Sequence, residues 1–369
     1  MIPFLPLDQI TASFQPEIDN AIKRVTHSGW YLNGGELTNF EQSFAAFTGT
    51  THCIGTGNGF DALTLALLAM KTEYGWNDEA EVILPAMTFV ATAQAVVRAG
   101  LHPILADVDS NAVLTPETVL PHLSSRTRAL LPVHLYGRLA PIDGLAQLAE
   151  DHHLALLEDA AQAHGATLQG RRAGAWGTMA AFSFYPGKNL GALGDAGAVT
   201  TSDEALSLRV RMLANYGARQ KYRHEALGLN SRMDEIQAAI LQVKLSRLLA
   251  DNKHRRNVAR FYDSHIHHHL VTLPALPEEP ESHVWHIYPL RCPQRDALQR
   301  HLTARGIQTL IHYPFPIHLQ PAIIPYIQQE DTWPEALSIA QQELSLPISP
   351  LLTPEQMKAV ADAVNDFRP

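Results

Sequence analysis

The sequence predicts an α/β fold, with a mostly parallel sheet covered by helices on both faces and a smaller unit at the C-terminal end. Three observations predict it. Short apolar runs recur along the first half of the chain, among them VILP at 82–85, PILA at 103–106, RALL at 128–131, LALL at 154–157 and MAAFSF at 179–184. Between them lie stretches of roughly ten residues with helical periodicity, an alternation that places parallel strands under crossover helices. The chain has 369 residues, more than one domain usually holds, so a large and a small domain are expected. Their expected bounds are 12–250 and 251–369, with residues 1–11 extended because Pro3 and Pro6 break any helix.

Taken in order, a helix is expected from Pro16 to His27, with Ile18, Ile22 and Val25 on one face. A glycine-rich turn, SGWYLNGG, then feeds an amphipathic helix through Phe40, Phe44 and Phe47. Cys53 and Ile54 form a short strand that meets GTGNG at 55–59, and an apolar helix follows. Free amides at such a helix start make an anion site, so the backbone of Asn58 and Gly59 is a candidate phosphate cradle. After the 82–84 strand, Thr88 is expected to cap the next helix. The strand around 128–136 ends in His134 and Tyr136, read as structural hydrogen-bonding residues at the border of a site. A helix started by Ser202 is expected to end at Gly217, and one long helix to run from Asp234 to His265. In the small domain a strand is expected over Val284–Leu290 and a helix over Asp296–Arg305. Closing helices are expected from Trp333 and Pro354.

Composition narrows the function. Apolar residues make up 46% and charged ones 18%, which suits a substantial core and excludes a disordered chain. A net charge of −9 argues against nucleic acid or an anionic membrane as partner. Two cysteines, Cys53 and Cys292, encode neither a disulfide framework nor a zinc site. The run HIHHH at 265–269 reads as a solvated patch, so no metal is expected. With no membrane-length apolar run and no basic leader in MIPFLPLDQI, a soluble cytoplasmic protein is expected.

Chemistry concentrates between Leu154 and Thr201. One apolar run ends in Glu158-Asp159, and the next ends in Pro186-Gly187-Lys188 among Gly191, Gly194 and Gly197. Open α/β sheets bind ligands at the carboxyl ends of their strands, where these two groups fall. An ion pair would account for the charges alone, but the glycines point to close backbone approach to a ligand. Pyridoxal phosphate chemistry needs both groups: a lysine for the Schiff base and a carboxylate on the ring nitrogen. Gln162, three residues beyond Asp159, is a candidate donor to the ring's phenolic oxygen. His164 is read as a structural imidazole before Gly165.

EDAAQAHGA at 158–166 and FSFYPGKNLGALGDAGAV at 182–199 resemble the signature of the DegT/DnrJ/EryC1/StrS sugar-nucleotide aminotransferases, within the fold-type I pyridoxal-phosphate enzymes. The resemblance runs from Ile2 to the C-terminus. It implies an aspartate-aminotransferase-like fold with a mostly parallel seven-stranded sheet and a smaller C-terminal α+β domain. It implies catalytic Lys188 and Asp159, an aromatic Phe89 against the ring, and Ser183 at the phosphate. The pattern GLNSRMDEIQAA at 228–239 implies that Asn230 reaches the phosphate of a neighbouring subunit, hence a homodimer with composite sites. Tyr31, Tyr185, Tyr313 and His318 are implied substrate contacts. Arg219 and Lys221 are candidates for the nucleotide phosphates, with a solvated basic loop as the other reading.

The implied reaction takes an amino group from L-glutamate to a dTDP-linked 3-oxo-6-deoxyhexose, since HCIGTGNGFDALTLAL with GWYLNG before it looks most like the carbon-3 members. Carbon-4 aminating members share the cofactor motifs and stay open as an alternative. Sugar 3-dehydration, performed by relatives with histidine in place of the lysine, is opposed by Lys188. A regulatory pyridoxal-phosphate protein would need a basic DNA-binding module that the chain lacks. A Rossmann oxidoreductase fails because GTGNG is not GxGxxG and no ribose-binding acid follows at the required spacing.

Overall fold

A seven-stranded sheet is the frame on which the rest of the chain is hung. In this computed structural model, which describes residues 1–368, its strands are β1 (His52–Thr56), β2 (Glu81–Pro85), β3 (His102–Ala106), β4 (Thr127–Leu130), β5 (Ala155–Asp159), β6 (Met179–Ser183) and β7 (Gly197–Thr201). Their order is β1-β7-β6-β5-β4-β2-β3. The pairs from β6 to β3 are parallel, and β7 runs antiparallel to both β1 and β6. Because strands buried on both faces need no polar alternation, β2, β5 and β7 are buried along their whole length.

The helices of six residues or more, in chain order, are α1 (Leu7–Ala12), α2 (Glu17–Ser28), α3 (Gly35–Thr48), α4 (Gly59–Glu73), α5 (Val90–Arg98), α6 (Ile142–Asp151), α7 (Glu204–Leu213), α8 (Glu235–Leu245), α9 (Leu248–His265), α10 (Arg295–Ala304), α11 (Pro334–Gln342) and α12 (Pro354–Asn365). On one side of the sheet α4 buries nine residues, including Leu63, Leu65 and Leu67, against a core shared with β1, β2 and β7. On the other, Phe40 and Phe44 of α3 pack against Phe182 and Phe184; the Phe44 ring meets theirs edge-on at 4.9 and 5.2 Å. A third core, from Val258 to Phe367 with Ile2 at its edge, joins α9, α10 and α12 to an antiparallel pair, β8 (Tyr288–Arg291) and β9 (Glu343–Leu346).

Several elements differ from expectation. The N-terminal segment is not extended throughout, because Pro6 precedes α1 instead of interrupting it, and proline is tolerated at a helix start. The long helix is two, α8 and α9. At the junction Ser246 Oγ turns back to the Val243 carbonyl at 2.8 Å, and Arg247 stays right-handed but departs from ideal helix torsions (φ −105°, ψ −8°). Its guanidinium then sits 3.5 Å over the Phe14 ring. The helix after β7 is capped by Asp203, whose carboxylate accepts from Leu206 N at 3.0 Å, and it ends at Leu213. The chain then doubles back through Tyr216 and Gly217, both at positive φ. Residues 284–287 are not in β8; they run beside the turn after β4, with Val284 N donating to Gly137 O at 2.9 Å and Ile287 N to Tyr136 O at 3.2 Å. None of the helices is long and apolar enough to cross a membrane among the described residues.

Candidate active site

Strands β5 and β6 are adjacent and parallel, so their carboxyl ends deliver Asp159 and the loop bearing Lys188 to the same edge of the sheet. Successive strand residues point to opposite faces, which separates Glu158 from Asp159. Glu158 is fully buried and accepts from His134 Nε2 at 3.1 Å, Trp176 N at 2.7 Å, and Gly174 N and Gly177 N at 2.9 Å each. It is structural, as is His134. Asp159 faces a cavity of about 1060 Å³.

The Asp159 carboxylate is held on both oxygens. Thr92 Oγ1 donates to Oδ2 at 2.8 Å and Ala161 N to Oδ1 at 3.2 Å. Burial raises its pKa, while those hydrogen bonds and the nearby Lys188 charge act the other way. Thr88 does not cap α5; its hydroxyl meets Thr92 Oγ1 at 3.0 Å, forming a Thr88–Thr92–Asp159 chain. Lys188 opens into the same cavity, and burial lowers its amine to about 8, against the pull of Asp159.

Asn58, Gly59, Phe89, Gln162, Ser183, Tyr185 and Tyr313 line this cavity with Asp159 and Lys188. Asn58 caps α4, its Oδ1 accepting from Asp61 N at 2.8 Å, and the start of α4 lines the cavity beside Ser183. At Gly59 a Cβ would stand 2.6 Å from Ser183 Cβ, so only glycine lets the helix start lie this close to the strand end. Gln162 is committed at both ends: Oε1 accepts from Tyr136 N at 2.7 Å and Nε2 donates to Tyr313 Oη at 3.2 Å. The Phe89 ring, 52% exposed, lies 5.3 Å from that of Tyr313.

The remaining expected residues lie outside the cavity within one chain. Asn230 and Tyr31 are exposed, Lys221 lies over the Tyr222 ring at 5.1 Å, and Arg219 lines a separate cleft with Arg211 and Arg232. His318 also lies outside the cavity, its ring stacked on that of Trp333 at 4.8 Å.

Sequence reasoning missed Thr92, Phe4, Leu5, His286 and His312, all of which line the cavity. Thr92 alone had a legible signal, lying one helical turn after Thr88 beside an expected strand end. The other four arrive by long-range folding: Phe4 N donates to Gln308 Oε1 at 3.2 Å and the Phe4 ring stands 5.7 Å from His312. A close glycine cradle at a helix start, an anchored buried carboxylate and a lysine without a hydrogen-bonding partner fit pyridoxal phosphate, its phosphate, its ring nitrogen and its aldehyde respectively.

The model of the DegT/DnrJ/EryC1/StrS aminotransferase family matches residues 13–365. The chain belongs to that family. Within it the chain is 47% identical to a dTDP-3-amino-3,4,6-trideoxy-alpha-D-glucose transaminase of Streptomyces venezuelae, over 99% of this chain and 96% of that one. It is 44% identical to a dTDP-3-amino-3,6-dideoxy-alpha-D-galactopyranose transaminase of Aneurinibacillus thermoaerophilus, covering 100% and 99%. The crystal structure of DesV from S. venezuelae superposes with a TM-score of 0.93 at 47% identity, covering 99% of this chain and 98% of that one. The fold is that of this family's pyridoxal-phosphate aminotransferases, and the chain is such an enzyme.

Proposed function

We propose that the enzyme moves an amino group from L-glutamate to the keto carbon of a dTDP-linked 3-oxo-6-deoxyhexose, giving a dTDP-3-amino-3,6-dideoxyhexose. The observation that carries the reading is a single cavity of about 1060 Å³ shared by Lys188 and Asp159. It is roomy for a cofactor alone, since small-molecule sites occupy about 300–1,000 Å³. The two relatives at 47% and 44% identity bear the names of 3-amino deoxysugar transaminases, which supports carbon 3.

Bound there, pyridoxal phosphate supplies an electron sink for the carbon that loses its proton. Asp159, anchored by Thr92 and Ala161, holds the ring nitrogen in its protonated form. In each half-reaction Lys188 would carry the proton between the substrate carbon and the cofactor's methylene carbon. An amine lowered to about 8 keeps a usable unprotonated fraction near neutral pH. The start of α4, with Ser183, would hold the phosphate, Gln162 would lie toward the phenolic oxygen, and Phe89 would restrain one ring face. Tyr185 and Tyr313 bound the sugar's side of the cavity.

The same reading includes a homodimer. Cofactor, glutamate and nucleotide sugar are all anions, yet Lys188 is the only lysine or arginine lining the cavity among the described residues. The loop carrying Arg219, Lys221 and Arg223 projects into solvent, with Tyr222 86% and Leu227 98% exposed. Such a loop, together with Asn230 and Tyr31, supplies cations and contacts to a second copy's site. Residues 12–250 then form the cofactor-holding domain and 251–369 the smaller one, in a cytoplasmic enzyme that supplies amino sugars to surface polysaccharides or secondary metabolites. The test is carbon-position analysis of the product from paired 3-oxo and 4-oxo substrates. Amination at carbon 3 alone is expected, and amination at carbon 4 overturns the assignment.

A further inference from the structure

Behind Lys188 a chain of side-chain amides sets the tautomer of one histidine. Asn252 Nδ2 donates to the His164 carbonyl at 2.8 Å, which leaves Asn252 Oδ1 as the acceptor facing Asn189. Asn189 Nδ2 donates to that oxygen at 2.9 Å and to the Val284 carbonyl at 3.0 Å. Both amide hydrogens of Asn189 are thereby engaged, and its Oδ1 lies 3.2 Å from His286 Nδ1. An amide oxygen only accepts, so Nδ1 carries the ring hydrogen and Nε2 of the neutral ring is an acceptor.

The ring is neutral because burial and the charges of Lys188 and Arg255 hold its pKa well below the usual value; His312 and His164 are the other titratable groups facing it. Nε2 makes no hydrogen bond among the described residues, and His286 lines the cavity into which Lys188 opens. Lys188 Nζ has no hydrogen-bonding partner among the described residues either. A donor without an acceptor and an acceptor without a donor thus line one cavity.

We infer that His286 is a positioning residue for the lysine, its Nε2 accepting a hydrogen bond from the Lys188 amine when that amine is free of the cofactor. The inference rests on Lys188 being the reactive amine. Asn189 follows Lys188 directly in the chain, so the group that orients the imidazole belongs to the lysine loop. The hydrogen bond keeps the freed amine over the reacting carbons instead of leaving it to rotate within the cavity.

Two substitutions separate this role from simple packing. His286→Asn places an amide nitrogen near the position of Nδ1, keeping the bond to Asn189, and puts nothing at Nε2. His286→Gln does the reverse. With pyridoxal phosphate bound, the single-turnover rate at which L-glutamate bleaches the visible band is expected to fall about a hundredfold in His286→Asn, the cost of misplacing a reacting group by about 1 Å. Cofactor Kd stays within about twofold, as packing is retained, and His286→Gln stays within about fivefold of the parent rate. In cofactor-free protein, acetic anhydride labelling of Lys188, read by peptide mass spectrometry, shifts its midpoint to lower pH in His286→Asn, because the ammonium has lost an acceptor. A parent-like rate and labelling midpoint in His286→Asn overturn the inference, as does a His286→Gln variant as slow as His286→Asn. If borohydride fixes the cofactor to a residue other than Lys188 in the parent, the Lys188 reading itself fails, a result the peptide mass distinguishes.

Discussion

Replacing Gly59 by alanine tests the phosphate cradle through a contact that leaves no room to adjust. The new Cβ would meet Ser183 Cβ at 2.6 Å, Ser183 Cα at 3.0 Å and Ser183 Oγ at 3.2 Å. Ordinary carbon–carbon contact lies at about 3.5–4.0 Å, so the start of α4 or the end of β6 must move by about 1 Å. Ser183 pairs with Gly197 in the sheet and Gly59 opens a helix buried against the central core, so neither end yields freely. Overpacking of this kind costs about 1–3 kcal/mol. Expressed at the helix start, that cost weakens pyridoxal phosphate binding by about five- to a hundredfold. The assay is a cofactor titration followed by visible absorbance, with thermal unfolding in parallel. Ser183→Gly in the same chain removes the 2.6 Å contact but leaves the strand's Cα at 3.0 Å, so partial recovery of the melting temperature is expected. Undiminished cofactor affinity in Gly59→Ala would refute the cradle.

Three further outcomes follow from the site. Thr92→Val removes the donor 2.8 Å from Asp159 Oδ2 and should raise the carboxyl pKa, weakening cofactor binding about tenfold, since a hydrogen bond to a charged group contributes about 1.5–3 kcal/mol; equilibrium dialysis of the cofactor checks it. In cofactor-free protein, Lys188 has a folded-state pKa of about 8, below its unfolded value of about 10.4, so it costs stability fully below pH 8, and that cost fades as pH rises toward 10.4. Lys188→Met should therefore raise the melting temperature at pH 7, with the gain shrinking toward pH 10; a constant gain would contradict the shift. His318→Ala should lower the melting temperature by removing the stack on Trp333 while leaving the sugar KM within about twofold, because the ring lies outside the cavity.

The sheet and the two strand ends that meet at the cavity were legible because they are local patterns. Continuous apolar runs stop at Asp159 and, before the loop that carries Lys188, at the end of β6. The cradle was legible for the same reason, Asn58 and Gly59 being consecutive at a helix start. What escaped was set by geometry across the chain. The break between α8 and α9 leaves the apolar periodicity intact and is visible only through Ser246 and the docking of Arg247 on Phe14. His286 reaches Asn189 across 97 positions, and no spacing announces that pairing. Tyr313 and His318 come from one motif, yet only Tyr313 lines the cavity of this chain, a separation that no spacing announces.

The measurement that tests the account most directly is the visible spectrum of the purified protein and of Lys188→Ala, with pyridoxal phosphate, before and after L-glutamate. The parent should show a yellow band that glutamate bleaches, and Lys188→Ala should fold yet show negligible turnover. A parent that stays colourless with added cofactor, or a Lys188→Ala variant that turns over at the parent rate, would contradict the central claim.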